Sequence, residues 1–168
     1  MQTDDTTPPM SDPIAYFLTW VTYGTWLPGD ARGWVELKHG WQLPNANLES
    51  DCESRMGEEQ CLLSAVARQH TAAQIEETCQ HRGWTLHTLS VRSNHLHAVV
   101  AAANVVPKKI RADLKAWATR RLKHEVDESR NNWWADRGSV RYIWNEESLE
   151  RVIVYVTEAQ DRKDRDHT

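Results

Sequence analysis

The period of apolar positions changes repeatedly along the chain, and each change marks an expected element. Residues 15–23, Ala-Tyr-Phe-Leu-Thr-Trp-Val-Thr-Tyr, are aromatic and β-branched without a helical period, which predicts a strand. Three glycines and a proline in residues 24–33 predict a loop with several fixed turns, and 34–43 can form a short hairpin. Residues 45–59 are polar and acidic, with Glu49, Asp51, Glu53, Glu58 and Glu59 against Arg55, and read as a solvated excursion. Residues 60–70 lean helical. Thr71-Ala-Ala-Gln74 then reads as a capping box that opens a helix with Ala72, Ile75 and Cys79 on one face, stopped by Gly83. Residues 84–91 alternate as a second strand, and the turn Arg92-Ser93-Asn94 is short enough to demand an antiparallel hairpin with a third. Pro107 suits a first helical position, and from there to about Glu125 the helical period turns Ile110, Leu114, Trp117 and Ala118 inward. A loop at 131–138 carries two indoles and Arg137, and 140–144 reads as a fourth strand. Glu146-Glu147-Ser148 places acids at the positive end of a last helix, whose apolar side is Leu149, Val152, Ile153 and Val156.

The order strand, helix, strand, strand, helix, strand, helix is a repeated split β-α-β unit, the α+β arrangement called ferredoxin-like: a four-stranded antiparallel sheet with two helices on one face. At 168 residues the chain suits a single domain, expected over 13–160 between tails at 1–12 and 161–168. The third strand is Asn94-His95-Leu96-His97-Ala98-Val99-Val100. Its alternation puts both imidazoles on one face and Leu96, Ala98 and Val100 on the other. Two helices cover the leucine face, so the last helix is left for the histidine face, and it carries Tyr155 and Glu158.

Bulk composition narrows the partners. A formal charge of -4 argues against a chain that is basic overall, yet Pro107 to Lys123 holds seven Lys or Arg and one acid, Asp113. Lys108, Lys109, Arg111, Lys115, Arg120 and Lys123 thus form a local basic surface suited to phosphates. Trp26 and Arg32 on the glycine-rich loop suit stacking on nucleotides, or equally the pinning of that loop to the body. Nine tryptophans against one phenylalanine exceed what one core of this size requires, so some rings are expected at the surface. Three cysteines without Cys-x-x-Cys spacing fit the reduced thiols of a cytoplasmic protein. No apolar run approaches a membrane span, and the acidic start lacks signal-peptide features.

Two histidines on a strand and a tyrosine on the helix across them suit a metal that polarises a phosphodiester and a hydroxyl that attacks it. In these residues the chain resembles the HUH superfamily, and within it the single-tyrosine transposases, which include the insertion-sequence-200-like enzymes and the REP-associated tyrosine transposases. The resemblance runs from Phe17-Leu-Thr-Trp-Val-Thr-Tyr-Gly-Thr-Trp-Leu-Pro-Gly-Asp-Ala-Arg-Gly-Trp-Val35 through the His-x-His strand to Tyr155-Val-Thr-Glu-Ala-Gln160. It implies His95 and His97 as ligands of Mg²⁺ or Mn²⁺, Tyr155 as nucleophile, and single-stranded DNA often presented by a hairpin. It implies a 5′-phosphotyrosine intermediate, and either a monomer or a homodimer that exchanges the tyrosine helix. The family's third ligand, a Gln four residues after the Tyr, is Ala159 here. Gln160 matches it in type and Glu158 in helical phase. A metal-dependent DNA transposase is the leading function. A non-catalytic nucleic-acid binder on the same fold and a metal-dependent hydrolase are the alternatives.

Overall fold

A computed structural model describes residues 12–159, so the expected tails at 1–12 and 161–168 fall outside it except for Asp12. Six strands, four α-helices and a terminal π-helical segment follow in the order β1 (Ala15–Val21), β2 (Trp34–Glu36), β3 (Gly40–Gln42), α1 (Ala46–Ser54), α2 (Ala65–Arg82), β4 (Thr85–Val91), β5 (His95–Ala101), α3 (Pro107–Glu125), β6 (Ser139–Ile143), α4 (Glu146–Val154) and the π segment Tyr155–Ala159. The main sheet has the order β4-β5-β1-β6 with every pairing antiparallel, and β2-β3 is a separate hairpin. This is the expected ferredoxin-like sheet. It places β1 and β5 at the centre, flanked by β4 and β6.

Alternation along the two central strands divides the sheet into two faces. Tyr16, Leu18 and Trp20 of β1 and Leu96, Ala98 and Val100 of β5 pack with Ile75 and Cys79 of α2 and Ile110 and Leu114 of α3. The opposite residues Ala15 and Val99 join Ile143, Leu149, Val152 and Val156 beneath α4. A third cluster of Cys61, Leu63, Ala67, Leu122 and Trp133 closes the molecule beyond the end of the helix layer. Gly138 marks a tight approach of the chain to β1, because a Cβ there would lie 2.4 Å from the Thr19 carbonyl oxygen.

Local readings are corrected in three places. Residues 45–59 contain a helix, α1, which starts at Asn45, whose side chain accepts from the Leu48 amide. It buries none of its residues, so it has no apolar stripe by which a pattern could reveal it. The second helix begins at Ser64 and not at Thr71: Ser64 accepts from the Ala67 amide, while buried Thr71 donates to the Ala67 carbonyl inside the helix. The stop at Gly83 holds, with the left-handed φ of 71° that a C-cap glycine adopts. Trp117 does not face inward. It is 40% exposed, with the Arg120 guanidinium 4.7 Å from its ring.

Candidate functional site

Both histidines leave the sheet on the face turned away from α2 and α3. In the register, His97 sits opposite Thr19 and His95 opposite Val21. His97 is only 8% exposed, and its Nδ1 lies 2.7 Å from Thr19 Oγ1. His95 Nδ1 lies 2.7 Å from Asn94 Oδ1. A carboxamide oxygen only accepts, so in the bonded tautomer His95 donates from Nδ1 and Nε2 becomes the coordinating nitrogen. The ring centroids are 5.1 Å apart, close enough for two imidazoles to serve one ion. Oxygen partners on the far nitrogens orient imidazoles that serve as ligands.

Tyr155 reaches this pair because of how α4 is held. Asn145 caps α4 by accepting from the Ser148 amide, and the helix lays Leu149 and Val152 on the sheet with Val156 of the π segment. Tyr155 lies on the flank of that stripe, where the α-helix gives way to the π segment. Thr157 donates to the Ile153 carbonyl at 2.9 Å, a back-bond of the kind that bends helices. The Tyr155 ring stands 6.1 Å from that of His97, and Phe17 touches both, at 6.3 Å from Tyr155 and 5.2 Å from His97. Phe17 and Thr19 share this face of β1, so one edge of one strand supplies the packing and the hydrogen bond that position the other two rings. Sequence reasoning missed both residues, because their role appears only once β1 is known to lie beside β5.

The residues considered as a third ligand stand differently. Glu158 is exposed, and among the described residues no group of three His, Cys, Asp or Glu is arranged to hold a metal. Gln160 lies outside the described residues. Donor chemistry nevertheless fits a divalent cation: two oriented imidazoles leave most of a coordination sphere for oxygen ligands.

The expected nucleic-acid residues are not gathered at this site. The basic helix α3 packs on the opposite face of the sheet. Lys108, Lys109 and Arg120 are exposed there, with Lys109 3.9 Å from Asp113. Arg111 and Lys123 are half-buried, and Lys123 donates to Asn131 Oδ1 at 2.9 Å. Lys115 donates to the carbonyls of Ala135 and Arg137 at 2.7 and 3.0 Å, and burial pushes its ammonium down to about 8. Arg32 forms a two-pronged bond to Asp30 and donates to the Thr25 carbonyl, while its guanidinium lies 5.0 Å from the Trp26 ring. The Arg32 hydrogen bond holds the Asp30 carboxyl below its usual range. Trp26 in turn donates to the Gly33 carbonyl. Of the two readings for this pair, the internal bonds match the pinning of the loop.

Comparison with known proteins bears on the same residues. The family model described as "Transposase IS200 like" matches residues 57–159, a span that holds His95, His97 and Tyr155. The chain belongs to this family. The same fold is seen in solved structures. A candidate transposase from Deinococcus radiodurans R1 superposes with a TM-score of 0.53 at 14% identity, covering 93% of this chain and 95% of that one. A REP-associated tyrosine transposase bound to a REP hairpin superposes with a TM-score of 0.52 at 12% identity, covering 87% of this chain and 66% of that one. At such identities the likeness speaks for the fold. No curated protein sequence matches the chain.

Proposed function

We propose that this IS200-like transposase cuts and rejoins single-stranded DNA through a covalent bond between DNA and Tyr155, next to a cation held by His95 and His97. The observation that carries the reading is the Tyr155 ring 6.1 Å from His97 on one sheet face of one chain. Tyr155 Oη attacks the phosphorus, the bond to the 3′ oxygen breaks, and the DNA 5′ phosphate stays on the tyrosine. The phenolic proton goes to solvent, and the departing 3′ oxygen takes one up. Attack by another 3′-hydroxyl reverses the step onto a new end without ATP, because the phosphotyrosine conserves the energy of the broken bond. A Mg²⁺ or Mn²⁺ ion at the histidines would supply Lewis-acid polarisation of the phosphate and would orient it. Asn94, which accepts from His95 Nδ1, leaves His95 Nε2 for such an ion, and Thr19 Oγ1 orients the His97 ring.

Gln160 is the third ligand in this proposal, in preference to Glu158. Its match in residue type to the family's Gln ligand supports it. The hairpin carried by the REP-associated relative supports a folded DNA partner here too. Exposed cations of α3 suit phosphates of its more distant parts.

The test is incubation of the protein with labelled single strands flanking a hairpin, in Mn²⁺. A protein–DNA adduct that survives denaturing electrophoresis is expected from the wild type and none from Tyr155→Phe. An adduct undiminished in Tyr155→Phe, or cleavage without any adduct, would overturn the proposal.

A further inference from the structure

A cavity of about 700 Å³ opens beside Tyr155, between the outer strand β6 and α4, and its walls include Phe17, Arg141, Trp144, Ser148, Arg151 and Tyr155. Arg141 pairs directly with Phe17 across the ladder, so both side chains leave the same face of the sheet. Its side chain is exposed and makes no hydrogen bond or ion pair among the described residues. Arg151 sits one helical turn before Tyr155, 3.8 Å from Glu147 and within 3.3 Å of Ser148, with 70% of its side chain in solvent. Just past the end of β6, Trp144 stacks on Tyr142 with ring planes 16° apart, and both rings are about half exposed. A second cavity of about 760 Å³ is lined by Asp30, Glu49, Glu53, Glu58 and Glu59, whose charge repels phosphate.

We infer that the cavity between β6 and α4 is a binding track for single-stranded DNA, in which Arg141 holds the phosphate next to the one at Tyr155 and Trp144 stacks on the adjoining base. The inference rests on the reading of Tyr155 as the reacting group, and it names the path by which the strand leaves that group. The chemistry is complementary: two guanidiniums meet a polyanion, and an indole already backed by Tyr142 offers a rigid platform to any base. Position also selects this path. The basic helix α3 lies on the far face of the sheet, whereas Arg141 stands on the near one beside Phe17, and Trp144, stacked on Tyr142 at the sheet edge, lines the same cavity as Tyr155.

The experiment measures binding of a fluorescein-labelled oligothymidylate by anisotropy at several salt concentrations, with every protein carrying Tyr155→Phe so that no cleavage intervenes. Trp144→Ala is expected to weaken binding about fivefold or more, with Trp144→Phe retaining most of it. Arg141→Ala is expected to lower the slope of log affinity against log salt by about 0.7, with Arg141→Lys restoring it. Melting curves of the same proteins separate these losses from misfolding, since both side chains are exposed. Unchanged affinity and unchanged salt slope in both alanine variants would overturn the track even where the wild type forms its adduct. Losses as stated, in a protein whose wild type forms no adduct, would keep the track and sink the covalent chemistry instead.

Discussion

The two faces of one sheet are made by alternate residues of the same strands, yet they differ in kind. On the helix side Leu18, Trp20, Leu96, Ala98 and Val100 form a continuous dry layer, each at most 1% exposed. On the other side the apolar contact is confined to the end near Ala15, Val99 and Ile143, and Phe17, Thr19, His97 and His95 carry on in polar company. A strand can thus devote one face wholly to stability and half of the other to chemistry, because a side-chain period of two keeps the two jobs apart. A slip of register by one residue would exchange them. The layer under α2 and α3 fixes the register that brings Thr19 opposite His97.

That contrast can be broken by neighbouring substitutions. Trp20→Ala on the helix face is expected to cost about 3–5 kcal/mol in denaturant unfolding, the usual penalty for an emptied aromatic site. Thr19→Val, one residue away on the other face, should cost only about 1 kcal/mol or less in the same assay. Its effect should appear instead in a Mn²⁺ titration, as a ~10- to 100-fold loss of affinity for the histidine pair. Equal stability losses, or a metal affinity untouched by Thr19→Val, would mean that the division between faces is not the one described. A smaller effect sharpens the helix side at its start: Ser64→Ala should lose ~1 kcal/mol, because Ser64 is the residue that caps α2.

A pH effect is expected at Lys115, where α3 meets the 131–138 loop. Its folded ammonium is pushed from 10.5 down to about 8 chiefly by burial. Between those values the unfolded chain holds a proton that the folded chain has released, so stability gains from Lys115 as pH rises through that window. Below about pH 8 both states are protonated and the burial penalty is felt in full. Melting temperatures recorded from pH 7 to 10.5 should show this rise in wild type and a flatter profile in Lys115→Met.

The sequence carried the sheet, the two-helix layer and the facing of both imidazoles because each rests on a strong period: alternation along β5, and the spacing of Ile110, Leu114 and Ala118 along α3. It did not carry α1, which buries nothing, or the true start of α2, where Ser64 competes with an equally plausible threonine seven residues on. Trp117 has the spacing of a core residue yet is exposed, since spacing reports direction and not depth. That His95, His97 and Tyr155 meet on one sheet face was legible from residue type and element. Thr19 and Phe17 were not, because their contacts with His97 depend on which strand lies beside which, and Asn94 was not, because its bond to His95 depends on the side-chain rotamer.

Only Trp144 and Asn145 separate the last strand from α4. Two residues form a leash of roughly 10 Å at full stretch, so α4 cannot wander far from the edge that launches it. Lending its phenol to a neighbouring molecule would require that molecule to dock within the leash, or β6 to peel from β1 and surrender the ladder from Ala15 to Thr19. The geometry therefore leaves a trade of helices between copies two routes, a neighbour docked close against this edge or the opening of the edge itself.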